Sequence, residues 1–325
     1  MIQATRTQPS CHDDARINGG GATALAKKPQ VTLAAKSTSP ISPNHSPQPR
    51  RNFPDVCYEL RHKIDTFLAE QIDDKVLRGV QSQVSVSMEV IEEALRRYGP
   101  GHLSLSYNGG KDCLVLLILI LACLPAWTPP TPPPSSDANA PPPTTQSSDE
   151  APSSSSNDLL PSEPEGHKPL QAIYIISPDP FVEVEEFVAQ SAEQYNLDLV
   201  RFELPMRPAL EAYLAQKPAV KAIFLGTRRT DPHGEFLTHF DPTDHGWPQF
   251  MRVHPVIDWH YVEIWAFIRH LDIPFCDLYN QGFTSLGGVT DTRPNPALAV
   301  GGDQPKFRPA YELRDDDEER LGRDR

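Results

Sequence analysis

Forty-one consecutive residues near the middle of the chain, 128–168, contain no aromatic side chain and only two large apolar ones, Leu159 and Leu160. A stretch of this kind cannot bury enough apolar surface to offset the entropy of ordering it, so it reads as a disordered Pro/Ser-rich insertion and not as a domain. Whatever folds must be assembled from the segments on either side. Of 35 prolines in 325 residues, 13 lie in 125–169 and 7 in 1–54. Residues 1–52 carry seven Lys/Arg against two Asp/Glu and read as a disordered tail. A basic, acid-poor start is also the composition of a mitochondrial import signal, but Asp13, Asp14 and the Gly19–Gly21 run interrupt any Arg-rich amphipathic helix, so the cytoplasm is the expected location. What remains, 53–127 and 169–325, is 232 residues, enough for a single α/β domain with its own core.

Several classes are excluded early. Five cysteines, none in a CxxC pair, make neither a disulfide framework nor a zinc knuckle and fit a reducing compartment. The longest apolar run, Cys113 to Ala126, is interrupted by Pro125 and is too short to span a bilayer, so it reads as a buried helix. A net charge of −13 argues against a nucleic-acid partner. Small-molecule substrates, no nucleic acid, no membrane and a monomer are the expectations.

Apolar residues at helical spacing predict helices over 55–73 (Val56, Leu60, Ile64, Phe67, Leu68) and 75–98 (Val80, Val84, Met88, Ile91, Leu95), both expected to cover a sheet. His102–Ser106 alternates as a short strand, and the apolar helix starts near Asp112. Beyond the insertion come strands at 172–177, 197–204 and 222–226, alternating with helices at 181–195 and 207–216. That alternation predicts an α/β fold, a mostly parallel twisted sheet with helices on both faces. A further helix is expected over Asp258–Leu271 with Asp258 as N-cap, its Tyr261, Ile264, Trp265, Ile268 and Leu271 facing the core.

The chemistry is expected where strands end. Between the first strand and the apolar helix stands Tyr107-Asn-Gly-Gly-Lys111. Gly109 and Gly110 allow backbone amides to approach an anion, and the helix N-terminus favours negative charge, so with Lys111 they form a candidate phosphate cradle. It is not the GxxxxGK[ST] loop. After the third strand, Gly226-Thr-Arg-Arg-Thr-Asp-Pro-His-Gly234 places Arg228 and Arg229 where an anion would use both forks, with Asp231 suited to Mg²⁺. A solvated turn holding an Arg–Asp ion pair is the plainer alternative. A third segment, Phe240–Pro255, mixes aromatics with Asp244 and Arg252, as a slot for a planar heterocycle would; Trp247 and Phe250 fit that slot or an ordinary core equally well. Six of 11 histidines fall in 233–270, but with no HExxH-type pair no His-bound metal is expected. The acidic run Asp315–Glu319 reads as a solvated helix start.

The string Ser106-Tyr-Asn-Gly-Gly-Lys-Asp-Cys113 resembles the S-x-G-G-x-D-S pyrophosphate loop of ATP pyrophosphatases and PAPS reductases, with Cys113, read as a small buried residue, in place of Ser. Joined by Thr227–Pro232, Ile176–Phe187, Leu278–Gly287, Pro294-Asn-Pro296 and Glu319-Arg-Leu-Gly-Arg323, the ordered set is similar to that of eukaryotic, especially fungal, FAD synthases (FMN adenylyltransferases), over roughly 53–127 and 169–325. The resemblance implies a PAPS reductase-like, adenine nucleotide alpha hydrolase-like fold and the reaction ATP + FMN → FAD + pyrophosphate with Mg²⁺. By the same resemblance Asn108, Gly110 and Asp112 match nucleotide and Mg²⁺ positions, and Asp231 a second metal or phosphate position. Asp244 and Arg252 match flavin-contacting positions, and Arg320 and Arg323 active-site arginines. The catalytic set expected is thus Asn108, Asp112, Arg320 and Arg323. ATP phosphates fall to Ser106, Gly109, Gly110, Lys111, Arg228 and Arg229, flavin to Asp244, Trp247 and Arg252, and metal to Asp112 or Asp231. The chain departs from the family in the 128–168 insertion and in ending two residues after Arg323, which would leave the arginine pair open to fraying. A PAPS reductase-like enzyme and an inactive flavin- or nucleotide-binding regulator are the competing readings.

Overall fold

The computed structural model describes residues 52–126, 168–302 and 306–324. The tail and insertion read from the sequence lie outside the described residues, apart from Asn52 and Lys168 at their inner edges. One six-stranded sheet has the order β3-β2-β1-β4-β6-β5. Its strands are β1 (Leu103–Ser106), β2 (Gln171–Ile175), β3 (Asp198–Phe202), β4 (Ala222–Phe224), β5 (Phe240–Pro242) and β6 (Met251–Val253). All neighbours pair in parallel except β5, which runs antiparallel to β6 along one edge. The central strands are buried on both faces, as a parallel sheet covered by helices requires: Ala222, Ile223 and Phe224 have no exposed surface. The mostly parallel α/β sheet expected from the sequence is the fold.

Helix α3 (Lys111–Cys123) follows β1 directly, and every residue in it except Asp112 is buried. A helix apolar all round needs cover on all sides. The sheet supplies one side; α1 (Phe53–Ala69), α2 (Lys75–Tyr98) and α6 (Tyr261–His270) supply the others. The two leading helices therefore pack chiefly on α3 and α6 and form an outer layer, where the sequence suggested they would cover the sheet itself. The opposite face carries α5 (Met206–Gln216), whose buried Tyr213 packs with Ile173, Val220 and Ile223. Its hydroxyl shares a 2.6 Å hydrogen bond with Ser104 Oγ. Helix α4 (Val182–Gln194) follows β2.

Helix α6 begins at Tyr261, three residues later than expected, and Asp258 is not its cap. Val256, Ile257 and Trp259 are buried ahead of it, and Trp259 Nε1 donates to Ser87 Oγ at 2.9 Å, so the chain seats these side chains before it can coil. The cap is assembled instead from His260, whose N–H donates to Glu263 Oε2 at 2.8 Å, and from Asp316, whose Oδ1 accepts the Tyr261 N–H at 2.6 Å. Among the described residues no helix is long and apolar enough to cross a membrane.

At the end of β6, His254 is 1% exposed, and neither ring nitrogen has a hydrogen-bond partner among the described residues. Burial pulls its pKa down to about 4. An imidazole held neutral in the fold but protonated near pH 6.5 when unfolded stabilises the protein fully above about pH 6.5 and progressively less as pH falls towards 4. Lowering the pH from about 7 to about 4.5 is expected to cost on the order of 2 kcal/mol through this residue. Urea unfolding of the parent and His254→Phe at both pH values checks this. Equal losses in the two proteins would assign the pH dependence to other groups.

Candidate active site

Strand order 3-2-1-4 means that the chain crosses back between β1 and β4, and the crevice beyond their carboxyl ends is where open α/β sheets take ligands. The loops leaving β1 and β4 meet there. In the first, Tyr107 is buried with its hydroxyl donating to Ser191 Oγ at 2.8 Å, and exposed Asn108 turns its Oδ1 back to accept the Gly110 N–H at 2.9 Å. Gly109 has φ +71°, and a Cβ there would lie 2.8 Å from Val188, so only glycine makes this turn. The Lys111 N–H donates to Tyr279 Oη at 2.9 Å. In the second loop, a Cβ on Gly226 would lie 2.8 Å from Cys113 Sγ and 2.9 Å from its backbone nitrogen. The absence of a side chain at Gly226 lets the two loops pack backbone against helix.

Two cations and two carboxylates are locked where the loops touch, with a third carboxylate, Asp316, at their rim. Lys111, 2% exposed, places Nζ 2.9 Å from Asp112 Oδ2 and 2.5 Å from Glu319 Oε1. Arg228, with no exposed surface, has Nε 2.9 Å from Asp112 Oδ1, Nη2 paired with Glu319 Oε2 and Nη1 3.6 Å from Asp316 Oδ1. Burial works against every one of these charges. It alone would lower the Lys111 pKa and raise that of Asp112, but the opposite charges alongside outweigh it, keeping the amine protonated and the carboxyl ionised.

The acidic run Asp315–Glu319 is a solvated helix start only in part: exposed Asp315 caps it, but its last member turns inward. A short 3₁₀ turn covers Asp316–Glu318, and Glu319 is 5% exposed and completes the cluster. Nor do Lys111 and Arg228 face outward for phosphate. Both are buried and engaged with carboxylates. Arg229 parts from its neighbour: its Nε donates to Asp258 Oδ1 at 2.6 Å and its Nη1 to the carbonyls of Glu235 and Leu237 at 3.0 Å. Asp231 Oδ2 accepts the Arg228 N–H at 2.9 Å and so closes the turn.

Of the four clustered groups, Asp112 keeps the most solvent access, with its side chain 20% exposed and Oδ1 lacking a hydrogen bond among the described residues. Oδ1 itself is buried, 2.9 Å from Arg228 Nε; it is the partly exposed carboxylate as a whole that suits a hard divalent cation whose other ligands come from substrate phosphates, as Mg²⁺ prefers. No group of three or more His, Cys, Asp or Glu among the described residues is arranged to hold a metal on its own. Cys113 is buried and its thiol is pushed up to about 12 chiefly by burial, which suits packing rather than nucleophilic attack.

The remaining expected residues divide by position. Ser106 ends β1, half-buried. Arg320 is exposed immediately after Glu319, whereas Arg323 donates from Nη1 to Leu286 O at 3.0 Å and pairs with Asp291 at 3.2 Å. Asp244, Trp247 and Arg252 come together on the β5–β6 hairpin: Arg252 Nη2 donates to Pro242 O at 2.9 Å and lies 3.5 Å from Asp244 Oδ1. Trp247 is 39% exposed, while Phe250 is partly buried and packs against the Tyr213 cluster, so of the two aromatics only Phe250 touches the core. Because β5 is antiparallel, this loop enters β6 at its amino end, the opposite end of the strand from the Gly226–Asp231 turn. No hydrogen bond or ion pair joins it to the cluster among the described residues. Sequence reasoning missed Glu319 and Tyr279 as site residues; both sit in motifs that carried the resemblance without an assigned role.

A probable FAD synthase of Schizosaccharomyces pombe is 36% identical over 269 residues, spanning 83% of this chain and 89% of the relative. The chain belongs to the FAD synthase family. The crystal structure of Candida glabrata FMN adenylyltransferase in complex with FMN and the ATP analog AMPCPP is similar with a TM-score of 0.69 at 26% identity, over 84% of this chain and 100% of that one. The same yeast enzyme in complex with FAD and inorganic pyrophosphate gives a TM-score of 0.69 at 26% identity, over 84% of this chain and 97% of that one. The phosphoadenosine phosphosulfate reductase domain family matches residues 203–294, a span that contains the β4 loop and the β5–β6 hairpin but not the Gly109–Asp112 turn.

Proposed function

We propose that this chain transfers the adenylyl group of ATP to the phosphate of FMN. A phosphate oxygen of FMN attacks the α-phosphorus, the bond from that phosphorus to the bridging oxygen breaks, and the electron pair leaves with pyrophosphate, giving FAD. The observation that carries this reading is the junction of the two loops at the β1–β4 crevice, where a partly exposed carboxylate, Asp112, is held by two buried cations. A phosphomonoester is already largely dianionic near neutral pH, so the nucleophile needs no general base. The chain's task is then to position two anionic substrates and to balance the charge that develops on the leaving group.

Asp112, with Asp231 as the second candidate, would hold Mg²⁺ against the ATP phosphates, where the ion supplies charge neutralisation on the transferring and leaving oxygens. Arg320 is exposed, directly follows Glu319 and, unlike Arg229, has no side-chain hydrogen bond or ion pair among the described residues, and it is the group assigned to the pyrophosphate. The hairpin residues Asp244, Trp247 and Arg252 are assigned to the flavin, which would extend along β6 from the crevice. The reductase alternative lacks a suitable thiol: Cys276, the last cysteine, is 1% exposed and burial pushes it up to about 11.

The test is to incubate the purified protein with FMN, ATP and Mg²⁺ and to separate the flavins by chromatography. FAD and pyrophosphate are expected in equal amounts, and only with the metal. Tight binding of FMN or ATP without FAD would make the chain a binding module, and neither product nor binding would sink the assignment.

A further inference from the structure

The arginine pair at 320 and 323 is expected from the sequence to fray. Its surroundings instead form a frame. The Glu319 carbonyl accepts from Thr284 Oγ1 at 2.6 Å, and Asn295 Nδ2 donates to Glu318 O at 2.7 Å and to Thr284 Oγ1 at 2.8 Å. Thr284 and Asn295 are 1% and 0% exposed. On the far side, the Arg293 N–H donates to Gly322 O at 2.8 Å, and Arg323 is tied to Leu286 O and Asp291. Arg320 stands between these anchors with its side chain exposed and in no hydrogen bond or ion pair among the described residues. The Glu319 carboxylate reaches inward in the opposite sense, to Lys111 and Arg228.

We propose that Glu319 is a positioning residue, which clamps the 315–323 segment onto the two loops through Lys111 and Arg228 and so presents Arg320 to the leaving group. Thr284 and Asn295, in motifs with no chemistry of their own, hold the clamp by its backbone. Burial makes the arrangement specific. Neither oxygen of Glu319 can exchange its cation for water, so the segment has one seat, and a one-residue slip would expose the acid and bury the arginine. The inference rests on the adenylyltransferase reading and adds to it a residue that acts through its neighbour.

The test is a double-mutant cycle on the full chain with Glu319→Gln and Arg320→Ala. Glu319→Gln keeps the shape and removes the charge. Each single variant is expected to lower kcat/KM for ATP roughly 100-fold. The double variant is expected to stay within about threefold of either single, because the two act as one unit. FMN affinity, followed by flavin fluorescence, should stay within about twofold in all four proteins, since the hairpin is not joined to the clamp. Multiplied losses in the double variant, or parent-like rates for Glu319→Gln, would overturn the proposal. If Glu319→Gln does not fold, Thr284→Val, which removes a hydrogen bond to the Glu319 carbonyl, should show the same non-additive pattern with a loss of roughly tenfold. A parent that made no FAD would refute the function alone; the same cycle read as AMPCPP binding then decides the role of Glu319, with additive or absent effects counting against it.

Discussion

Asp112→Asn is expected to reduce FAD formation by about a thousandfold or more. The substitution preserves size and planarity and removes one negative charge from a cluster of two cations and two carboxylates. Two consequences separate experimentally. Lys111 and Arg228 remain buried with Glu319 as their close counter-ion, so the fold is expected to lose about 3 kcal/mol in urea unfolding. The catalytic loss is much larger than that destabilisation explains, because an assay well below the unfolding transition still has nearly all its protein folded. If Asp112 holds the metal, the residual activity should also need more Mg²⁺ than the parent. The measurement is FAD yield against Mg²⁺ concentration. A variant with the parent's rate and metal requirement would show that Asp112 is only structural.

The second large effect belongs to Arg228. Arg228→Met fills the same space with an uncharged chain and leaves Asp112 and Glu319, one on each side of it, without the guanidinium that joins them. Breaking a buried network by removing one partner is expected to cost about 3 to 5 kcal/mol, enough to bring many domains close to unfolding, and to abolish turnover. Its neighbour is the control. Arg229 has a side chain 41% exposed and pairs with Asp258, itself 48% exposed, so Arg229→Ala is expected to cost no more than about 1 kcal/mol and to leave FAD formation within about threefold of the parent. Equal effects at the two positions, in urea midpoints and in rate, would refute the division of labour seen between them.

That division marks the boundary of what the sequence makes legible. The apolar run of α3, the glycine turn before it and the core stripe of α6 are local patterns, and local pattern is enough to place them. The Arg228–Arg229 pair is local too, yet its two guanidiniums serve opposite sides of a turn. What separates them is the approach of Gly226 to Cys113 and the bond from the Arg229 N–H to Ile257 O, neither of which has a signature in the string. Asp258 looks like a helix cap because an acid before an apolar stripe usually is one; the burial of Trp259 moves the helix start past it. Glu319 illustrates the larger difficulty. An acidic run with no apolar neighbour looks solvated, and only the tertiary fold reveals that its last member meets two buried cations. The string 240–255 reads equally as a slot for a planar heterocycle or as core, and the end of the sheet it faces is not legible in it at all, since that depends on the antiparallel pairing of a three-residue edge strand.

Lys111 and Glu319 are separated by 208 positions in the chain. Synthesis proceeds from the amino end, so the six-stranded sheet and the helices around α3 are complete by residue 270, well before Glu319 exists. Contacts this far apart are the slowest kind to form, because a long loop must close before they return any energy. The scaffold and the charge balance at the loop junction therefore have different birthdays. A nascent chain halted after α6 holds Lys111 and Arg228 with Asp112 as their one close carboxylate, and the charges at the junction balance only when the last acidic turn brings Glu319.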